Sequence, residues 1–309
     1  MWKILKYIKL KKNALIIGHG SIGKRHYKIL KKLDYFETIF ILSKRNLSNK
    51  NKKIYVNSIK DLKHKNIKYI VIASRTEDHL FFIGEIERNF KNLNVLVEKP
   101  LFEKYHNINP KKNNYFVGYN LRYHPIVLYL KKIIKNKKII FFDIKCISYL
   151  PVWRNNLNYI HSNSAGYGGG ALLELSHELD YAQYIFGNIK KIYFNLVNKI
   201  SNIKIKKDDN VILFGKSSKA NFSINLNFFS HSKERKITIH MKKLTIISDL
   251  IKNQILFYKN HKITKKIKFK IKDNQTYMMQ HKNTLLGKNN CNFKDNLKLM
   301  KLIDNLKKW

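Results

Sequence analysis

Acids are scarce in this chain: 20 Asp and Glu stand against 62 Lys and Arg, a formal net charge of +42 over 309 residues. An excess of that size ordinarily points to nucleic acid or to an anionic membrane surface. Arginine is scarce too, with only positions 25, 45, 75, 88, 122, 154 and 235, whereas phosphate and base recognition favours the planar guanidinium fork. The lysines are spread through every segment and accompany abundant Asn and Ile, so the charge reads as a solvated basic surface rather than a specific nucleic-acid site. Cysteine is limited to Cys146 and Cys291, which form no metal or redox motif; no metal is expected, and a reducing compartment fits. No apolar run approaches the roughly 20 residues that span a bilayer. Residues 1–12 carry a Lys at every second or third position, which removes the apolar centre of a secretory signal and makes a cytoplasmic location the expectation.

What is present is enough apolar material, 44% of residues, to build a sizeable core. The first third alternates short apolar runs with helical patterns, the arithmetic of βαβ units. Strands are expected at 13–17, 37–42, 54–56, 68–73, 94–98 and 115–119, with helices at 21–32, 58–63 and 76–90. After Pro125 the pattern becomes a helix to about 134, a strand over 139–149, an irregular segment to 167 and a helix over about 169–185. Strands without intervening helices follow, clearest where Phe222, Ile224, Leu226 and Phe228 alternate with polar residues. Further strands are expected at 237–241, 244–248, 255–258 and 267–271, and helices at about 274–286 and 293–307. The Lys/Asn-rich stretches 44–53 and 201–209 read as surface loops. The fold class is therefore α/β: a doubly wound parallel sheet over 1–119, then an α+β domain over 120–309 with a large, mostly antiparallel sheet.

The first expected strand runs straight into Gly18-His19-Gly20-Ser21-Ile22-Gly23 and a helix, the strand-turn-helix setting of the dinucleotide fingerprint. Gly18 serves the tight turn, Gly20 the approach of backbone amides to a pyrophosphate, and Gly23 close helix–strand packing. The second strand ends in Ser43-Lys44-Arg45, with no acid from residue 38 to residue 60, so a 2'-phosphate is favoured and NADP is expected, NAD being possible. At the end of the fifth strand Glu98-Lys99-Pro100 directs a lysine toward the ligand edge of the sheet, with Pro100 disfavouring a helical Lys99. Further on, three glycines at 168–170 precede a helix expected to carry Glu174 and His177 on one face, where His177 could exchange a proton near neutral pH. Glu174-x-x-His177 and Glu103-x-x-His106 imitate di-iron spacing, but that centre needs a four-helix bundle which the pattern does not offer.

Together and in this order, these segments resemble the Gfo/Idh/MocA oxidoreductases, the family of glucose-fructose oxidoreductase and inositol dehydrogenase. The marks are the glycine fingerprint with His26 after it, Ala73-Ser74 with His79, Glu98-Lys99-Pro100, the stretch Gly118-Tyr119-Asn120-Leu121-Arg122-Tyr123-His124-Pro125, and the glycine-rich helix with His177. The resemblance implies a Rossmann domain, a second domain whose open sheet often mediates homo-oligomerisation, and Lys99 with His177 as the catalytic pair. It implies cofactor contacts at Gly18, Gly20, Ser21, Ile22, Gly23, Ser43, Lys44, Arg45, Ala73, Ser74, His79, Glu98 and Asn120. The segment Tyr149 to Arg154, with Tyr159 and Ser162, looks like the branch found among bacterial surface-sugar biosynthesis genes. Two departures stand out: Glu174 replaces the family's usual Asp, and it lies three residues before His177 instead of four.

The activity so implied is reversible hydride transfer between a nicotinamide and a secondary carbinol of a sugar or sugar nucleotide. His177 would act as general base, and Lys99 as hydrogen-bond donor to the developing alkoxide. Arg122, Tyr123, Trp153, Arg154 and Tyr159 are candidate substrate contacts, the arginines suiting a carboxylate or phosphate. The alternatives are a catalytically silent NADP-binding sensor or scaffold, and a polyanion-binding module.

Overall fold

In the computed structural model, which describes residues 12–43, 54–153, 159 and 169–307, the chain forms two compact units. The first comprises residues 1–120 and 274–300, the second residues 121–273 and 301–309. The division falls after Asn120, and residues 274–300 return to the first unit, a return that the expected ranges 1–119 and 120–309 do not contain.

In the first unit six strands, β1 (Asn13–Ile17), β2 (Ile39–Leu42), β3 (Ile54–Val56), β4 (Ile67–Ile72), β5 (Asn94–Val97) and β6 (Asn114–Val117), form one parallel sheet in the order β3-β2-β1-β4-β5-β6. Their apolar runs are continuous rather than alternating because a doubly wound sheet is covered on both faces: Leu15, Ile16, Ile70, Val71, Leu96 and Val97 are all fully buried. Helix α1 (Ser21–Leu33) buries Gly23, His26, Ile29 and Leu30. It ends where Asp34 turns left-handed (φ 51°) and its amide reaches back to the carbonyls of Leu30 and Lys31. Helix α2 (His79–Asn89) follows β4. The helix expected over 58–63 shrinks to a single 3-10 turn, Lys60–Leu62. Strand order reverses direction at β1 and β4, the place where an open α/β sheet leaves a crevice at its strand carboxyl ends.

The second unit holds α3 (Pro125–Ile133), β7 (Phe141–Tyr149), α4 (Ala171–Glu174), α5 (His177–Phe186), β8 (Ile189–Asn198), β9 (Asn210–Ser217), β10 (Asn221–Asn227), β11 (Phe229–Met241), β12 (Leu244–Asp249), β13 (Gln254–Lys259) and β14 (Lys262–Lys268). The eight strands are ordered β14-β13-β12-β11-β7-β10-β9-β8, with β7 and β10 parallel and every other neighbour antiparallel. Phe222, Ile224 and Leu226 are buried as their alternation requires, and Phe142 stacks on Phe186 at 3.7 Å. Strands β8 and β9 escaped the sequence pattern. β14 lies earlier than the expected 267–271 because it is a lysine-rich edge strand, exposed at all but Ile267, and carries no apolar face to read. The expected surface loop at 201–209 is tied down: buried Asp209 accepts the amides of Ile200 (2.9 Å) and Ser201 (3.0 Å). Helix α6 (Gln275–Leu285) and the first part of α7 (Phe293–Leu306) supply the return to the first unit, where Val117 donates its amide to Cys291 O at 3.0 Å and Phe293 packs on Tyr115.

His124 begins α3, its Nδ1 accepting the Ile126 amide at 3.2 Å with Pro125 at the first helical position. Burial, outweighing a bond from Asn253, pushes its pKa from 6.5 down to about 4. The unfolded chain then binds more protons below about pH 6.5, so His124 leaves stability intact above that pH and erodes it as pH falls toward about 4. The loss reaches on the order of 3 kcal/mol. Asn can cap α3 without titrating. In His124→Asn the urea midpoint should therefore fall less between pH 7 and pH 4 than in the parent; an unchanged slope would contradict the assignment.

Candidate active site

The three fingerprint glycines have different physical reasons. Gly18 has φ 98°, and a Cβ there would stand 2.5 Å from Ala73 O; a Cβ on Gly23 would stand 2.1 Å from Gly18 O. These two are glycines because the β1 turn, the end of β4 and α1 meet backbone against backbone. Gly20 differs: a Cβ there would meet nothing within 4 Å. It caps α1 without a side chain, and the first turn of that helix carries no acid. The Gly20 position thus opens on free space at the head of α1 with no carboxylate in the first turn, an arrangement that fits a dinucleotide's diphosphate. Ser43 directly follows β2 and is half-buried, and the Leu42 carbonyl holds the Gly18 amide at 2.8 Å. Lys44 and Arg45 lie outside the described residues. Ala73 and Ser74 follow β4, next to Gly18. Buried His79, first residue of α2, donates Nδ1–H to Leu101 O at 3.0 Å, and burial holds its pKa below the usual value.

Glu98-Lys99-Pro100 leaves the end of β5, and the Lys99–Pro100 peptide is cis. Lys99 is half-buried. Glu98, named above as a cofactor contact, is buried; its Oε1 lies 2.9 Å from His26 Nε2 and its Oε2 accepts the Lys99 amide at 3.2 Å. Gly118 makes room for that carboxylate, since a Cβ there would stand 2.9 Å from Glu98 Oε1. Asn120 donates Nδ2–H to Thr276 Oγ1 at 2.8 Å. Thr276 and His281, both on α6, and Tyr69 on β4 join this end of the unit although no local motif marked them.

In the second unit the helix expected over 169–185 is two helices: α4 ends at Glu174 and α5 opens at His177. The break is held by Ser176, whose hydroxyl donates to Leu173 O at 2.7 Å instead of pointing away from the backbone. Glu174 and His177 thus do not share one helix face, which corrects that expectation, and half-buried His177 stands at a helix N-terminus. Gly170 (φ 95°) starts α4, and Asp208 accepts the Leu172 amide at 2.7 Å. Arg122, read above as a substrate contact, is buried and donates three bonds to Asp180 (2.7, 2.9 and 3.1 Å), with its guanidinium 5.1 Å from the Tyr184 ring. Arg235 likewise donates to buried Glu178 at 2.7 Å, which Tyr181 also reaches at 3.3 Å; burial beside that carboxylate pushes the Cys146 thiol up to about 12. Tyr123 is buried. Trp153 is 39% exposed, donates Nε1–H to Ser148 Oγ at 2.9 Å and sets its ring edge-on to Phe228. Tyr159 accepts the Lys204 amide at 3.1 Å. Arg154, Ser162 and Gly168 lie outside the described residues. Among the described residues no group of three His, Cys, Asp or Glu side chains could hold a metal ion, and no helix is long and apolar enough to cross a membrane.

Residues 12–111 match the family described as "Oxidoreductase family, NAD-binding Rossmann fold". No curated relative matches the sequence. Among solved structures, levoglucosan dehydrogenase in complex with NADH has TM-score 0.80 at 15% identity, covering 96% of each chain. The WlbA dehydrogenase of Bordetella pertussis, in complex with NADH and UDP-GlcNAcA, has TM-score 0.74 at 17% identity, covering 97% of this chain and 96% of that one. The dehydrogenase MviM of Clostridium difficile has TM-score 0.76 at 18% identity, covering 97% and 99%. At these identities the structural likeness establishes the fold. With the 3-2-1-4-5-6 sheet and the glycine turn at its centre, the match of residues 12–111 makes the first unit a Rossmann domain similar to the NAD-binding domain of the Gfo/Idh/MocA oxidoreductases.

Proposed function

We propose that the protein is an NADP-dependent sugar dehydrogenase or reductase, transferring a hydride between nicotinamide and a secondary carbinol or ketone of a sugar or sugar nucleotide in the making of surface glycans. The observation that carries this reading is the side-chain-free head of α1 at Gly20, at the point where the order of the parallel strands reverses. When bound, the nicotinamide supplies the hydride donor or acceptor. Gly18, Gly20, Ser21, Ile22 and Gly23 hold the diphosphate, and Ser43, Lys44 and Arg45 the 2'-phosphate, since no acid stands between residues 38 and 60 to claim ribose hydroxyls. Lys99 donates a hydrogen bond to the reacting oxygen and His177 takes or returns its proton. Because Arg122 is committed to Asp180, recognition of an anionic substrate group falls to Arg154. A sugar nucleotide is the substrate class favoured, in keeping with the UDP-GlcNAcA bound by the WlbA structure. The outward side chains Tyr193, Phe194, Ile212 and Phe214 on β8 and β9 offer an apolar surface for the expected homo-oligomer, and the cytoplasm supplies both cofactor and activated sugars.

NADPH should bind more tightly than NADH in a fluorescence titration, by roughly tenfold or more, the size of a charge-assisted bond of about 1.5–3 kcal/mol. Arg45→Ala should erase most of that preference; equal affinities in the parent would return the choice to NAD. Lys99→Ala and His177→Ala should each lower kcat about 10²- to 10⁴-fold with little change in NADPH affinity. Intact NADPH binding with no turnover of any sugar by the parent would favour the silent sensor. In a panel of free sugars, inositols, acidic sugars and sugar nucleotides, kcat/KM should be highest for the charged substrates and should drop in Arg154→Ala. Neutral polyols turned over as well or better, without effect of Arg154→Ala, would remove the anionic-substrate assignment.

A further inference from the structure

Under the Glu98–Lys99 turn of the first unit, four buried groups from four separate stretches of sequence form an unbroken polar chain. Tyr69 OH lies 2.7 Å from His281 Nδ1, His281 Nε2 lies 2.8 Å from His26 Nδ1, and His26 Nε2 lies 2.9 Å from Glu98 Oε1. Tyr69, His26 and His281 are 0% exposed and Glu98 6%. The other oxygen of Glu98 accepts the Lys99 amide, so the chain ends one peptide from the lysine.

The chemistry of these groups sets a direction. A carboxylate only accepts, so His26 must carry its proton on Nε2. A neutral His26 then presents a bare Nδ1, which needs a donor, and the nearest atom is His281 Nε2. His281 in turn presents a bare Nδ1, and the Tyr69 hydroxyl donates to it. With His26 neutral, every hydrogen in the series points toward Glu98. The opposite tautomer of His281 would set two lone pairs against each other at 2.8 Å in a dry interior. Burial holds the His281 pKa well below 6.5, in keeping with a neutral ring. The groups around the chain are Tyr277, edge-on to His26 at 5.8 Å, Arg25 over the Tyr277 ring at 5.3 Å, and His79, which feels the Glu98 charge.

We propose that Tyr69, His281 and His26 are positioning residues for Lys99: their one-way hydrogen-bond series holds the Glu98 carboxylate, and through its bond to the Lys99 amide the carboxylate holds the lysine. The consequence for turnover rests on the function proposed above; the positioning itself does not.

The test uses the full chain with ¹⁵N-labelled histidine. At neutral pH both His26 and His281 should be neutral rings protonated on Nε2; a proton on Nδ1 of either, or an imidazolium at His26, would overturn the scheme. Tyr69→Phe removes the hydroxyl that donates to His281 and should let His281 populate its Nδ1–H tautomer and shift the Lys99 amide resonance. His281→Phe should shift that resonance further. His281→Gln, which can donate to His26 and accept from Tyr69, should restore it. A Lys99 amide unmoved in a folded Tyr69→Phe and in His281→Phe would refute the proposal, and should His281→Phe fail to fold, Tyr69→Phe alone decides it. In the sugar assay His281→Phe should lower kcat about ten- to a hundredfold with NADPH affinity kept and His281→Gln rescuing, the expected size for a small misplacement of a reacting group. If the parent turns over no sugar, the dehydrogenase reading fails while the tautomer and amide measurements still decide the positioning.

Discussion

The carboxyl edge of the first sheet depends on a backbone contact with no room for a side chain. Gly18 sits against Ala73 O, Gly23 sits against Gly18 O, and an added Cβ at either would come within 2.5 Å of a carbonyl oxygen. Because β1, β4 and α1 converge so closely, the head of α1 is held at the reversal of strand order, and Gly20 leaves the space beside it open. Overpacking a site of this kind costs about 1–3 kcal/mol or more, and the structure has no flexible neighbour there to yield.

The scarcity of acids gives those in the interior distinct work. Glu98 holds the lysine turn in the first unit, while in the second Asp180 and Glu178 each engage an arginine, and Asp208 and Asp209 hold backbone amides. Two of the chain's few arginines, Arg122 and Arg235, are found against buried carboxylates. At Arg122 the guanidinium meets a desolvated carboxylate with several donors in a fixed plane, which an ammonium on a flexible stem cannot supply. That accounts for Arg122 better than a substrate anion does.

The two units differ in how their strands announce themselves. Parallel strands buried on both faces are short apolar runs punctuated by glycine, so β1, β4 and β5 were recognisable from residues alone. The second sheet was readable only where one face is buried and the other wet, as at Phe222, Ile224 and Leu226. At its edge β14 has nearly every side chain exposed, and at β8 no residue is buried and half are exposed, so hydropathy carries no period there. The helix through His177 read as continuous because nothing but Ser176 breaks its pattern, and a serine hydroxyl turning onto a carbonyl is not visible in a residue string.

By itself the sequence determined the doubly wound first unit, the glycine turn and the lysine at the end of β5, because each is a local pattern whose spacing follows from strand and helix geometry. Only the tertiary structure decided that residues 274–300 belong with the first unit and that Arg122 faces Asp180. It alone brought His281 and Tyr69, 212 positions apart, onto one hydrogen-bonded line with His26 and Glu98. Those contacts join residues far apart in the chain, and buried polar groups find partners by the packing of whole elements, which no local period encodes.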